Sequence, residues 1–250
     1  MKPTDENNYT ALVTGGSRGI GRSISEMLSK RFAKKIFINY VQNDAEAEKT
    51  VNFINESGCE AVLLKFNLAY PGEIDKMFEI IYDRTEDIDF FIHCAGINSF
   101  KPVTKITPNQ WDLIMNVNAR SFLQCVQKCM PVMKKGYIVA ISSMGSRKYI
   151  PNYGSLSETK SALETLVRDL AVELAPNNIR VNGITAGLVE TESIYKFPDS
   201  RDMISKVIEH TPAGRIGTPE DIANAVEFLI SGSSDWIVGQ NIIMDGGFSL

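Results

Sequence analysis

Short apolar runs alternate with amphipathic stretches from one end of the chain to the other. Tyr9–Thr14, Lys35–Tyr40, Ala61–Phe66, Ile88–His93, Tyr137–Ser142, Ile179–Ile184 and Asn241–Met244 are of strand length and mostly aliphatic or aromatic. Between them Gly19–Phe32, the polar stretch Asp44–Ser57, a segment after Pro71 and Ser155–Leu174 read as helices. Thr107-Pro108 and Thr218-Pro219-Glu220-Asp221 are helix starts, with threonine as N-cap and proline in the first turn. The first of these opens a helix carrying Trp111, Ile114, Met115, Phe122 and Val126. Strands this apolar, each followed by a helix, predict a parallel sheet covered on both faces. Right-handed crossovers make such a sheet doubly wound, with its ligand outside the carboxyl ends of the strands. Neither an internal repeat nor a Pro/Gly-rich linker interrupts the rhythm. The expectation is one α/β Rossmann-type domain over 1–250, with a seven-stranded parallel sheet flanked by helices.

Composition narrows the function more than the fold. The net charge of −4 offers no basic field, which argues against a nucleic-acid partner. Met1–Asn8 is polar, and no apolar run approaches the ~20 residues of a membrane helix, so a cytoplasmic protein without a membrane partner is expected. Cys59, Cys94, Cys125 and Cys129 form no paired framework and read as small buried residues of a reducing compartment. Cys125 and Cys129 lie one helical turn apart, but no further ligand set accompanies them, and His93 and His210 are the sole histidines. No metal site and no Ser-His-Asp triad is expected.

The first strand runs straight into Thr14-Gly15-Gly16-Ser17-Arg18-Gly19-Ile20-Gly21. Glycines between a strand and a helix let the backbone approach a pyrophosphate at the helix N-terminus. The competing reading is a tight turn with no ligand. The spacing is Gly-x3-Gly-x-Gly, and here the chain resembles the short-chain dehydrogenase/reductase family. The resemblance continues through Asn118 within Asn116-Val117-Asn118-Ala119, Ile141-Ser142-Ser143, Lys160, Arg180-Val181-Asn182 and Asp245-Gly246-Gly247. It implies a nicotinamide-dependent oxidoreductase that assembles as a homotetramer. It also implies cofactor contacts from Gly15, Ser17, Arg18, Gly19, Ile20, Gly21, Tyr40, Asn67, Leu68, Ala95, Gly96, Lys160, Gly187, Val189 and Thr191. NADPH is expected rather than NADH. The second strand ends Ile38-Asn39-Tyr40 without a carboxylate to bind ribose hydroxyls, and Arg18 supplies charge for a 2′-phosphate, unless it is simply solvated.

The family pattern places a tyrosine four residues before the lysine, and here that position is Leu156. The nearest tyrosine gives Tyr153-x6-Lys160. Either catalysis is lost or the proton donor has moved. Seven helical residues turn through about 700°, which would leave Tyr153 roughly 20° from Lys160, its phenol displaced about 4.5 Å along the axis from position 156. Chemistry can use that displacement. In ketone reduction the proton goes to the oxygen on the carbon that receives hydride. In reduction of an α,β-unsaturated thioester, charge develops on an oxygen two carbons further away. Tyr153-x6-Lys160, the stretch Ile141–Leu174, the tail from Thr211-Pro212-Ala213-Gly214-Arg215 and Ala186-Gly187 in place of Pro-Gly resemble the enoyl-acyl-carrier-protein reductase III type. His93-Cys94-Ala95-Gly96 departs from the usual Asn-Asn-Ala-Gly, and His93 reads as a structural hydrogen-bonding group.

That resemblance implies Tyr153 as proton donor or enolate stabiliser, with Lys160 binding the nicotinamide ribose and lowering the phenol pKa. Ser143 would orient substrate, Asn118 would hold a water linked to Lys160, and Thr191 would contact the carboxamide. Tyr149 is a second tyrosine with the wrong spacing. Residues 190–212 would form a substrate lid whose Tyr195, Phe197, Pro198, Met203 and Ile204 suit an acyl chain. Arg147, Lys148, Lys196, Arg201 and Lys206 would either receive an acidic carrier protein or form a solvated face. The expected function is NADPH-dependent reduction of enoyl-acyl-carrier-protein thioesters in fatty-acid synthesis. The alternatives are a 3-ketoacyl or other carbonyl reductase and a non-catalytic NADP-binding relative. Retention of Ser143, Lys160 and Asn118 speaks against the last.

Overall fold

The computed structural model describes residues 8–196 and 199–250. Seven parallel strands form one sheet in the order β3-β2-β1-β4-β5-β6-β7. They are β1 (Tyr9–Thr14), β2 (Ala33–Tyr40), β3 (Glu60–Lys65), β4 (Phe90–His93), β5 (Gly136–Ser143), β6 (Ile179–Ala186) and β7 (Asn241–Met244). The helices are α1 (Gly19–Arg31), α2 (Asp44–Glu56), α3 (Pro71–Arg84), α4 (Pro108–Met115), α5 (Ser121–Cys129), α6 (Leu156–Leu174), α7 (Ser200–His210) and α8 (Pro219–Ile230). This is the single α/β domain that the alternating pattern predicts.

Successive strand residues point to opposite faces, so each central strand feeds two cores. Leu12, Phe37, Phe91 and Ile138 pack with Phe78, Phe122, Leu163 and Val167 from the helices of one layer. Their neighbours Val13, Ile38, Ile92 and Val139 pack with Ile24, Leu28, Val226 and Ile230 of α1 and α8. Burial on both faces explains why these strands read as continuous apolar runs. The strand order reverses between β1 and β4, and the carboxyl ends of these two strands open the crevice where such folds bind nucleotides.

Both threonine helix starts form capping boxes, Thr107 with Gln110 and Thr218 with Asp221. Two features go beyond the expected elements. Between α4 and α5 the chain makes a π-helical turn over Asn116–Arg120, which carries the buried Asn118. Within the segment expected as a lid, Ser200–His210 is a regular helix. Among the described residues, no helix is long and apolar enough to cross a membrane.

Candidate active site

The glycine turn is shaped by close approach. Gly15 and Gly19 take left-handed φ values of 64° and 53°, and a Cβ on Gly21 would collide with the Gly15 carbonyl. Arg18 is the extended N-cap of α1 without a side-chain cap, and the first helical turn contains no acidic residue. Its leading N–H groups and dipole therefore suit an anion. Arg22 braces the turn from behind, donating to the Ser17 carbonyl at 3.0 Å and to Glu46 Oε2 at 2.7 Å. A Cβ on Gly15 would stand 3.0 Å from the Ala95 backbone, and one on Gly19 3.3 Å from Thr191 Cγ2. Gly15, Gly19, Ala95 and Thr191 thus converge on one cradle at the crevice. Such a cradle fits the pyrophosphate of a dinucleotide.

Around it, Tyr40 closes β2 and is buried. Asp44 lies just beyond, but its carboxylate is paired to Lys65 Nζ at 2.8 Å. Arg18 is half-exposed and sits 3.7 Å from Glu192, leaving its guanidinium accessible to a phosphate. Asn67 accepts from the Ala69 N–H at 3.0 Å, Leu68 is buried beside it, and Val189 pairs with Gly217 next to the β6 end. Gly187 permits contact with Asp245, since an added Cβ would stand 2.8 Å from Asp245 Cα.

The candidate chemical groups meet at the end of β5. Tyr153 Oη lies 2.6 Å from Ser143 Oγ. Lys160 Nζ donates to the Ile141 carbonyl at 2.7 Å. Asn118 donates from Nδ2 to the Ile97 carbonyl and to Thr159 Oγ1, each at 3.0 Å, and accepts the Ile97 N–H at 2.8 Å. A Cβ on Gly96 would stand 3.6 Å from Asn118 Oδ1 and 3.7 Å from Lys160 Nζ, so that glycine separates the two. Tyr149, by contrast, is 83% exposed and outside this cluster.

The route by which Tyr153 arrives differs from the expected helical one. It precedes α6 by three residues, between Asn152 (φ 57°) and Gly154 (φ 56°), both left-handed. A turn, not helical phase, therefore aims the phenol at Ser143. Gly145 makes the space, because a Cβ there would overlap the Tyr153 ring. The expected lowering of the phenol pKa is also not what forms. Burial pushes Tyr153 up, with the Ser143 hydroxyl pulling against it. Burial pushes Lys160 down to about 8, opposed by Cys94 and then Glu164. His93 is buried and held neutral by desolvation and then by Lys160, its pKa near 3, with Nδ1 2.9 Å from Thr14 Oγ1. That contact supports the structural role expected of it.

Several expected participants lie elsewhere or are otherwise engaged. Arg147 pairs with Glu164 at 3.1 Å, and Lys148 lies 4.2 Å over the Phe248 ring, so neither stands as a free cation at the mouth. Arg201 and Lys206 are exposed on α7, with Met203 and Ile204 half-buried between them. Phe197, Pro198 and the Lys196 side chain lie outside the described residues. Sequence reasoning missed Thr159, Gly145, Arg22 and Glu164, which touch the site residues without belonging to a motif. Among the described residues no group of three or more His, Cys, Asp or Glu side chains could hold a metal ion.

A family model described as enoyl-(acyl carrier protein) reductase matches residues 15–249. The chain belongs to the short-chain dehydrogenase/reductase family. Within it, the chain is 32% identical to 1-cyclohexenylcarbonyl-CoA reductase of Streptomyces collinus, over all of this chain and 90% of that one. It is 30% identical to a 3-oxoacyl-[acyl-carrier-protein] reductase of Staphylococcus epidermidis, over 96% and 98% of the two chains. Among solved short-chain dehydrogenase/reductase structures, an angucycline C-6 ketoreductase with bound NADP superposes with a TM-score of 0.90 at 30% identity, covering 98% of this chain and 96% of that one. A dehydrogenase/reductase of Sinorhizobium meliloti gives a TM-score of 0.91 at 27% identity, covering 98% and 97%. The protein is therefore an oxidoreductase of this family with a nicotinamide-nucleotide fold.

Proposed function

We propose that this protein reduces the 2,3 double bond of an α,β-unsaturated acyl thioester with NADPH, the acyl group carried on acyl-carrier protein. The observation that carries this reading is the placement of Tyr153, which reaches Ser143 from a turn seven residues ahead of Lys160 rather than from the helical position of Leu156. NADPH, when bound, supplies the hydride that C3 of the acyl group accepts. That carbon is the same in an enoyl and a 3-ketoacyl thioester, and what differs is the oxygen on which charge develops. In the enoyl case it is the thioester oxygen, two carbons away, and a phenol brought in by a turn ahead of α6 rather than from position 156 would serve it.

Tyr153 Oη donates a hydrogen bond to that oxygen, and its raised pKa keeps it protonated until charge appears. Ser143 Oγ fixes the phenol at 2.6 Å. Lys160 binds the ribose and contributes its positive charge, while Asn118 orders the loop at Ile97. Gly15, Ser17, Arg18, Gly19, Ile20 and Gly21 hold the pyrophosphate and 2′-phosphate ends, and β2 itself ends on Tyr40 rather than a carboxylate, the nearby Asp44 being engaged by Lys65 and Tyr40. Asn67 and Leu68 border the adenine, and Gly187, Val189 and Thr191 border the nicotinamide. Exposed Trp236, Phe228 on α8 and Ile243 on the edge strand β7 are apolar surface that assembly into a homotetramer would cover.

The second reading is a carbonyl reductase, and the names of most relatives weigh toward it. The Staphylococcus enzyme and the angucycline enzyme are both named for reduction of a keto group. A serine and a tyrosine sharing a 2.6 Å contact could also embrace one carbonyl oxygen. The Streptomyces relative, whose named substrate is a cyclohexenyl thioester, weighs the other way. Mass analysis of products from a mixture of crotonyl and acetoacetyl thioesters with NADPH separates the readings. A saturated butyryl product supports the proposal, and 3-hydroxybutyryl alone overturns it.

A further inference from the structure

Glu164 is a carboxylate built into the wall behind the candidate site, and no motif accounts for it. Its Oε1 receives Ser142 Oγ at 2.7 Å and Thr185 Oγ1 at 2.8 Å. Ser142 and Thr185 are register partners on β5 and β6, and both point to the face covered by α6. Ser146 Oγ lies 2.5 Å from the same Oε1 and 2.8 Å from the Ser143 carbonyl, dividing its one proton between them. Arg147 holds Oε2 at 3.1 Å, and the Glu164 side chain is only 12% exposed. Three hydroxyls gathered on one oxygen are the environment of an ionised acceptor, since charge strengthens each bond.

The location gives this cluster a purpose. Glu164 follows Lys160 by one turn of α6, on the same face. Lys160 grips β5 at the Ile141 carbonyl, and Glu164 grips it one residue later at Ser142. The next residue is Ser143, whose hydroxyl meets Tyr153. The turn after it, held through Ser146 and Arg147, contains the Gly145 on which the Tyr153 ring rests. One carboxylate thus ties together the strand end that bears Ser143, the turn on which the Tyr153 ring rests and the helix that bears Lys160.

We infer that Glu164 is a positioning residue for the reaction: its carboxylate clamps the Ser142–Arg147 turn to α6, one helical turn from Lys160. The inference rests on the reading that Ser143, Tyr153 and Lys160 perform the chemistry. Lys160 is faced by Glu164 on its own helix and by Cys94 and His93 from the β4 end, with Arg147 partly offsetting Glu164 from the turn. The Cys94 thiol is pushed up to about 12 and His93 is neutral, so neither replaces the lost charge near neutrality.

Glu164→Gln keeps an oxygen for the three hydroxyls and removes the charge, whereas Glu164→Ala removes both. For Glu164→Gln, kcat should fall about tenfold through mispositioning. The basic limb of both kcat/KM and NADPH affinity should move to lower pH by about half a unit or more, because losing a nearby anion makes Lys160 release its proton more easily. The melting temperature should stay close to that of the unmodified protein. Unchanged kcat and unchanged basic limbs in Glu164→Gln, with only thermal stability lost in Glu164→Ala, would overturn the inference. Were the unmodified protein to turn over neither an enoyl nor a ketoacyl thioester, the proposed function would fail on that result. The pH profile of NADPH affinity would still decide on Glu164, a shift supporting the clamp and a superimposable profile refuting it.

Discussion

The hydroxyls of Ser143 and Tyr153 stand 2.6 Å apart although Tyr153 lies outside the helix that carries Lys160. The Tyr153 phenol is delivered by a left-handed turn at Asn152 and Gly154, over a floor kept open by Gly145. That arrangement lets a tyrosine leave position 156 without leaving the site. It follows that Tyr153→Phe should lower kcat by about 10²-fold or more, as expected for loss of a positioned acid. NADPH affinity by fluorescence titration should remain within about twofold, because the phenol is no part of the phosphate cradle. Loss of binding together with turnover would show that the hydroxyl also holds the cofactor.

Arg18 is the half-exposed cation at the glycine turn. Arg18→Ala should raise KM for NADPH by about 10- to 100-fold, the magnitude of a lost charge-assisted hydrogen bond. KM for NADH should hardly change. Steady-state kinetics with both nucleotides checks this, and equal effects on the two would place the 2′-phosphate elsewhere.

Lys160 is buried with its pKa lowered from 10.5 to about 8. The unfolded chain therefore holds a proton between about pH 8 and 10.5 that the folded protein has released, and stability rises with pH across that window. Below it both states are protonated and the full cost of burying the charge, about 3 kcal/mol, is present. Lys160→Met should raise the melting temperature at neutral pH by several degrees while abolishing turnover, after about 1 kcal/mol is deducted for the bond lost to Ile141. Calorimetry showing a lower melting temperature would contradict the desolvation argument.

His93 carries a signature of the same sign in acid. Its folded pKa of about 3 lies below the unfolded 6.5, so its contribution is complete above pH 6.5 and is lost progressively as pH falls toward 3. His93→Asn should flatten the stability profile over that interval, with little change above it. Urea titrations at a series of pH values measure this directly, and an unchanged acid slope would assign the loss to the carboxylates instead.

The fold was legible because burial on both faces left its mark on every central strand. Leu12 and Val13, or Phe91 and Ile92, are adjacent and belong to different cores, which produces an unbroken apolar run. Boundaries were less legible: β4 begins at Phe90 rather than Ile88, whose N–H goes to the Val132 carbonyl. The glycine turn was legible from its place between strand and helix, and the Asn118, Ser143 and Lys160 positions from their resemblance to the family's motifs. The path of Tyr153 was not, because helical phase was extended past the end of α6, where Asn152 and Gly154 turn the chain instead. Helix α7 was hidden by a sequence mixing apolar and charged residues without a fully buried face. Glu164 and Thr159 escaped notice for a general reason. A residue that acts through its neighbours leaves no spacing of its own, and its role emerges once strand register places Ser142 beside Thr185.

The central claim is that the Tyr153 phenol serves an enolate rather than an alkoxide. Its most direct test is NADPH oxidation by the purified protein with crotonyl- and acetoacetyl-acyl-carrier protein, measured side by side. The account predicts rapid oxidation with the crotonyl thioester and little with the acetoacetyl thioester. Oxidation with acetoacetyl-acyl-carrier protein alone would contradict it and leave a carbonyl reductase with an unusually placed tyrosine.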